Sequence, residues 1–482
     1  MKTCRSYIAG NWHNGAAEEY FELSDPADQR VVVSKSLHAG PADAVSASRA
    51  ASQAWPHWRS LAVSQRVAFV ERLSARIAQH AESFAETISL ETGKTLEEAA
   101  QEVDATELET RTQLDIFRQG SVEAIGSHRI SYEPLGVVLL ITPSNFPLSA
   151  IMRKLVPALL AGNTAVVKAS ELTPQTSVKL FELVDDLGVE PGVANLLIAD
   201  GRDSVPAMVN SGVLAAISVT GSTETGDAIL KVIGRRNIRF QAEMGGSNAV
   251  VVLADANIAE AADAVVQHGF ACCGQWCTGT TRVIVEASVM EEFTQVVLHL
   301  VKQIAVGPAT DLQTRMGPLI SGAHLQRVED AVKESVKEGA RVIAGGQRPV
   351  TKHLSNGNYY EPTVLTDIGD YEAFCDREIF GPVIALIRAA DVADALQKAN
   401  TGHYGLSFSV FTGDMQVAEH FVSQVNAGMC HINLPTGYRD NGLPLSGWNE
   451  SGRGIPECGR FARDFFTRTK AIYHATGQAA PV

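Results

Sequence analysis

Several things are missing from this 482-residue sequence, and each absence narrows its function. No run approaches the ~18 apolar residues of a membrane span. The start, MKTCRSYIAGNW, has basic residues but no apolar leader segment, so no signal peptide is expected. There is no internal repeat and no low-complexity tract. Lys and Arg total 40 against 54 Asp and Glu, a formal charge of −14, so the basic surplus that a nucleic-acid partner needs is absent. A local basic pocket for a small substrate is still compatible with that balance. Cysteine is sparse: seven residues, an odd number, thinly spread outside 269–282, which is no disulfide framework. A reducing, cytoplasmic setting follows as the expectation. No second Cys or His cluster stands at ligand spacing, so no metal site is expected. GxGxxG and CxxC motifs are also missing.

What is present is long enough for two or three domains, with 45% hydrophobic and 20% charged residues. From about 42 to 116 apolar residues recur three and four apart, a helical pattern. HRISYEPLG, 128–136, reads as a short strand ending at a turn. From 136 the texture changes. GVVLLITP, NTAVVKAS, VANLLIA, AAISVTG and IRFQAEMGG are short β-rich runs. Helical stretches at 148–161, 174–187, 203–212 and 223–235 separate them. That alternation predicts right-handed crossovers and a parallel sheet covered on both faces. A second α/β stretch runs from NAVVVLADA to about 440, and DFFTRTKAIYHA reads as a last strand.

The chemistry centres on GFACCGQWCTGTTR, 269–282, which holds Cys272, Cys273 and Cys277. Zinc would want more ligands, and Cys273 and Cys277 are too far apart for a redox CxxC pair. A single nucleophile at Cys277 leads, with Cys272 and Cys273 as small packing residues. Helical periodicity runs until Gly274. A cysteine just beyond that turn can lie near backbone N–H groups, which favour thiolate and can hold an oxyanion.

At these residues the sequence resembles the aldehyde dehydrogenase superfamily over nearly its whole length, and within it the semialdehyde dehydrogenases. GQWCTGTTR resembles the catalytic-cysteine motif, and AEMGGSN, 242–248, the glutamate motif. TPSNFPLSAIMRKLVPALLAGNTAVVKASELTP, 142–174, resembles the oxyanion and cofactor segment. SVTGSTETG, 218–226, matches the glycine motif beside the pyrophosphate, and EIFGPV, 378–383, the motif under the nicotinamide ribose. The resemblance implies Cys277 as nucleophile, Asn145 as oxyanion donor with the Cys277 N–H, and Glu243 as general base for thioester hydrolysis. Lys154 counts with these catalytic residues. It also implies a cofactor site made of Thr142, Pro143, Ser144, Lys168, Ser170, Glu171, Gly221, Ser222, Gly226, Gly245, Glu378 and Phe380. Lys168 and Glu171 would reach the adenosine ribose, with NAD preferred and NADP possible.

The sequence departs from the family's common pattern at Ser144, at Ser247 and in PLSGWNESG, 444–452. Those changes leave the substrate open. Arg153 stands where semialdehyde enzymes of the succinate type read a carboxylate, and a guanidinium suits that role. Pairing with an internal carboxylate is the alternative for it. Ala271 takes the place of those enzymes' second arginine, and Arg439 in NLPTGYRDNG could supply the second contact. The expected substrate is thus a small anionic semialdehyde. A phosphorylated or sulfonated aldehyde is the main alternative, ahead of coenzyme A acylation or a non-catalytic binding role. By resemblance the fold is α/β. Residues 1–117 and 135–245 form a Rossmann-like cofactor domain, 246–447 an α/β catalytic domain, and 118–134 with 460–478 a small β oligomerisation arm. A homodimer or homotetramer is expected.

Overall fold

The computed structural model describes residues 2–14 and 20–475. Residues 476–478 of the expected arm, and 1 and 15–19 of the expected cofactor segment, lie outside them. The helical pattern at 42–116 forms four helices, Pro41–Ser60, Val63–Gln79, Ala81–Thr92 and Leu96–Arg118. The last starts at a capping box: the Thr95 hydroxyl accepts the Glu98 N–H, and the Glu98 carboxylate accepts the Thr95 N–H.

The β-rich runs build an eight-stranded sheet. Its order is Gly452–Arg453, Arg239–Glu243, Leu214–Thr220, Val137–Ile141, Thr164–Lys168, Ala194–Leu197, Ser6–Ile8 and Asn11–His13. The five middle strands are parallel, and the outer ones pair antiparallel. Val137–Ile141 and Thr164–Lys168 are buried at every position. Apolar runs without alternation belong in a parallel sheet covered by helices on both faces. From Val137–Ile141 the chain first builds to one side, through Thr164–Lys168. It later returns to the other side at Leu214–Thr220. The sheet therefore has a topological switch point between those neighbours, where open α/β sheets bind ligands beyond the strands' carboxyl ends.

A seven-stranded sheet follows, in the order Arg341–Ala344, Thr363–Thr366, Val383–Ala389, Thr280–Glu286, Asn248–Val252, Ser407–Phe411 and Met429–Ile432. Only its edge strand Arg341–Ala344 is antiparallel. Separate apolar cores pack against the two large sheets. A three-stranded sheet joins Thr467–Ile472, His128–Pro134 and Val122–Ile125. Its C-terminal strand starts later than 460, because Gly459–Phe466 is a helix packed on the first sheet's helices through Phe465 and Phe466. A further small sheet, of Lys2–Cys4, Asp28–Leu37 and Tyr20–Asp25, carried no clear signal in the sequence. Among the described residues no helix is long and apolar enough to cross a membrane.

Candidate active site

The switch point opens into a cleft of about 720 Å³ between the two large sheets. Thr142, Pro143, Ser144 and Asn145 enter it from the end of Val137–Ile141, and Gly221 and Ser222 from the end of Leu214–Thr220. Ser222 caps the helix Thr223–Ile233, its hydroxyl accepting the Thr225 N–H, so this helix N-terminus faces the cleft. Lys168, Ser170 and Glu171 line one side, with the Lys168 ammonium 2.7 Å from Glu171. Gly245, Glu378, Phe380 and Cys277 line another. Gly245 is glycine for space: a Cβ there would strike the Glu378 carboxylate. Burial pushes the Glu378 carboxyl up to about 7, against the Gly246 N–H that it accepts.

Gly226, expected at the cofactor, does not line the cleft. It is buried where the helix Thr223–Ile233 meets the strand's end, and a Cβ would collide with the Met244 sulfur. Its smallness serves packing.

The helix Ile258–Phe270 ends before Cys272 and Cys273, both left-handed at φ 52° and 56°, and this turn presents Cys277. Cys272 and Cys273 are buried, and Cys277 is partly exposed. The Asn145 amide donates to the Gln275 carbonyl at 2.9 Å, tying the oxyanion candidate to the nucleophile's loop. The Asn248 amide donates to the Cys277 carbonyl at 2.8 Å. The thiolate preference expected for Cys277 meets an opposing effect. Burial pushes the Cys277 thiol up to about 11, against the lowering by Arg153 and Arg439. Two loops touch through glycine: a Cβ on Gly274 would run into the Gly381 carbonyl, just after Phe380.

Glu243 ends its strand buried behind the cleft, with one carboxylate oxygen lacking a hydrogen-bond partner. Burial and then the neighbouring Glu457 push its proton affinity up. Lys154 lies outside the cleft: its buried ammonium pairs with Glu457 and donates to the Ser218 hydroxyl at 2.8 Å. Glu457 was missed by sequence reading. Its only signal was a charge between turn residues in GIPECG.

Arg153 and Arg439 come together, but on a carboxylate of the chain itself. The Arg153 Nε and the Arg439 Nη2 both donate to Glu109 Oε1 at 2.9 Å. Arg153 also reaches the Ser149 hydroxyl at 3.3 Å, and Arg439 the Cys458 sulfur at 2.9 Å. The internal-carboxylate alternative therefore holds, yet one carboxylate faces two guanidinium groups. Glu109 too was missed, because it lies in a helix of unrelated pattern. His324 and Arg327, also unanticipated, line the far wall of the cleft. Among the described residues no group of three or more His, Cys, Asp or Glu could hold a metal ion.

Residues 12–472 match the model of the aldehyde dehydrogenase family. An α-ketoglutarate semialdehyde dehydrogenase of Haloferax volcanii is 32% identical over 483 residues, covering 97% of this chain and 98% of that protein. A 2,5-dioxopentanoate dehydrogenase of Saccharolobus solfataricus is 34% identical over 475 residues, covering 97% and 98%. A betaine aldehyde dehydrogenase of Bacillus subtilis is 32% identical over 482 residues, covering 98% of each. Among solved structures, the betaine aldehyde dehydrogenase of Staphylococcus aureus with NAD+ superposes at a TM-score of 0.94, with 30% identity over 99% of this chain and 97% of that one. A 3,6-anhydro-L-galactose dehydrogenase in complex with NADP also superposes at 0.94, with 29% identity over 98% and 100%.

Proposed function

Since the chain belongs to the aldehyde dehydrogenase family and oxidises an aldehyde to a carboxylate with NAD(P), we propose that its substrate is a small aldehyde with an anionic tail, and that Cys277, Asn145 and Glu243 carry the chemistry. The observation that supports the substrate reading is the meeting of two guanidinium groups, Arg153 and Arg439, on Glu109, close enough to lower the proton affinity of Cys277 and of Glu243. Two of the relatives are named for aldehydes that carry a carboxylate. Betaine aldehyde carries a fixed cation, which a pair of guanidinium groups repels.

Cys277 adds to the aldehyde carbon. Its raised proton affinity means that the thiol proton must pass to a base, through water to Glu243 or to solvent, as the sulfur–carbon bond forms. The Asn145 amide and the Cys277 N–H hold the oxygen that becomes negative, and losing such a donor costs on the order of 10²–10³ in rate. When bound, the nicotinamide cofactor supplies the hydride acceptor that converts the adduct to a thioester. Glu243 takes a proton from the water that cleaves the thioester. Its raised proton affinity makes it a stronger base than an exposed carboxylate. Lys154 and Glu457 set the charge behind Glu243.

The cleft residues fit a dinucleotide. A capped helix start meets the phosphates, Lys168 and Glu171 the adenosine ribose, and Glu378 the nicotinamide ribose. Glu171 repels a 2′-phosphate and Lys168 softens that repulsion, so the preference for NAD is moderate. The first sheet with its helices acts as the cofactor domain, the seven-stranded sheet as the catalytic domain and the small sheet as the subunit contact. Half-exposed Val122 and Ile125 on its outer strand would be covered by a second copy.

The test is a panel followed at 340 nm, with acetaldehyde, betaine aldehyde, succinic semialdehyde, 2,5-dioxopentanoate, glyceraldehyde 3-phosphate and sulfoacetaldehyde. The reading expects the highest kcat/KM on an anionic member. A preference for acetaldehyde or betaine aldehyde overturns it. Loss of all activity in Cys277→Ala, but not in Cys273→Ala, tests the nucleophile.

A further inference from the structure

Leu96–Arg118 contributes nothing to the cleft lining, yet four of its polar side chains grip parts of the site. Glu98, Glu102, Glu109 and Gln113 are spaced four, seven and four apart. At about 100° per residue they fall within about 60° on one face of the helix. Each is buried or half-buried, and each is spent on a different piece of chain.

Glu98 accepts the Cys272 N–H at 2.6 Å, in the turn that presents Cys277. Glu102 accepts the N–H groups of Leu148 and Ser149 at 2.9 and 3.1 Å, the entry of the helix that follows Asn145. Its other oxygen takes the Lys94 ammonium at 2.7 Å, and both side chains are almost fully buried. Lys94 also sits 3.6 Å from the centre of the Phe146 ring, which packs tilted against Trp276 with ring centres 5.7 Å apart. Glu109 holds Arg153 and Arg439, and Gln113 donates to the Gly459 carbonyl at 3.2 Å, just past Glu457 and Cys458.

We infer that the Leu96–Arg118 helix is the alignment element of the active site, with Glu102 and its partner Lys94 fixing the Asn145 loop, and Glu98 fixing the nucleophile's turn, as positioning residues. Two loops from different sheets are thereby referred to one rigid helix. A buried carboxylate is well matched to this role, because it satisfies two free N–H groups at a helix start, where its charge is favoured. Lys94 neutralises it and at the same time presses on Phe146, next to Asn145. The fixed spacing of Glu98 and Glu102 along one turn then backs the direct Asn145–Gln275 hydrogen bond in setting the separation of Asn145 from Cys277.

The inference rests on the roles proposed for Cys277 and Asn145. Activity in Cys277→Ala would sink those roles, whereas the outcomes below judge the helix alone. In the full-length enzyme, Glu102→Gln keeps the side chain's shape but turns an N–H toward Lys94. With the fastest aldehyde of the panel, kcat/KM should fall by about 10–10², the scale of a small misplacement. KM for NAD should rise modestly, because Thr142, Pro143 and Ser144 of the same loop line the cofactor cleft, while the rate at which iodoacetamide alkylates Cys277 should stay at the wild-type value, since it does not use the oxyanion donor. Glu98→Gln should lower both turnover and alkylation, because it frees the nucleophile's turn. The double variant Lys94→Met with Glu102→Met removes both charges at similar volume and guards against misfolding. A wild-type Tm with reduced turnover supports the inference. Wild-type turnover in Glu102→Gln or in the double variant overturns it. So does a parallel fall of turnover, alkylation and NAD affinity in Glu102→Gln, which would mark general destabilisation.

Discussion

Arg153 and Lys154 are neighbours on one helix and end in opposite electrostatic situations. Consecutive helical residues point about 100° apart, so the two side chains meet different walls. Lys154 goes to Glu457, one cation to one anion, with Ser218 completing the contact. Arg153 shares Glu109 with Arg439, and the field of both guanidinium groups also reaches Glu243. The balanced pair has no use for a further ion and acts on the proton of Glu243. The shared one brings two guanidinium groups together, and it is the group proposed to meet an anion from outside. A cation near a reactive cysteine is therefore not enough to infer an anionic ligand. The count of its internal partners decides.

The largest effect that tests this contrast lies at the balanced pair's neighbour. Glu243→Gln should keep a burst of one NADH per site and lose steady-state turnover by about 10²–10⁴, the usual worth of a general base. A rapid-quench or stopped-flow trace reads both. An unchanged steady state would remove Glu243 from thioester hydrolysis.

Lys154→Met should leave Glu457 buried without its partner and cost about 3–5 kcal/mol of stability in a urea titration. It also has a signed consequence. Lys154 lowers the proton affinity of Glu243, and the base works only when deprotonated. Where the variant folds, the acid limb of its pH–rate profile should move to higher pH. A limb that stays in place would uncouple the pair from Glu243.

Arg153→Met should cost about 10–10² in kcat/KM on succinic semialdehyde, the value of a charge-assisted contact of about 1.5–3 kcal/mol, and little on acetaldehyde. Equal losses on both would make Arg153 structural, like Lys154.

The smallest effect concerns Cys277 itself. With its thiol pushed up to about 11, iodoacetamide alkylation should keep rising past pH 9, where a free cysteine levels off. Arg153 lowers that affinity, so in Arg153→Met the rise should shift to still higher pH. A plateau below pH 9 in the wild type would mean that the thiolate is favoured after all.

The same contrast explains what was legible in the sequence. The cofactor cleft is made by short segments at strand ends, such as Thr142–Asn145 and Gly221–Ser222. Their local pattern of apolar run followed by turn residues carries both the strand and its ligand-facing end. Helix and strand limits from 136 to 243 fall within a few residues of expectation for the same reason. Glu109, Glu457 and Glu102 were not legible. Each is an ordinary charge on a helix or in a turn until a partner distant in sequence is brought against it, and Arg153 with Glu109 shows that a long-range pair has no local signature. The packing of Gly226 on Met244 was not legible because glycine near a helix start fits phosphate approach and tight packing equally well. The desolvation that opposes a thiolate at Cys277 was not legible either, because it is a tertiary property.

The contact between Gly274 and Gly381 has a mechanical meaning. With no side chain between them, the backbone that carries the nucleophile and the backbone that carries Glu378 and Phe380 rest directly on each other. The gauge of the reaction chamber is thus the thickness of two peptide planes, which does not vary with rotamer or temperature as a side-chain spacer would. Any residue other than glycine at 274 acts as a shim: its Cβ would strike the Gly381 carbonyl and push the two loops apart.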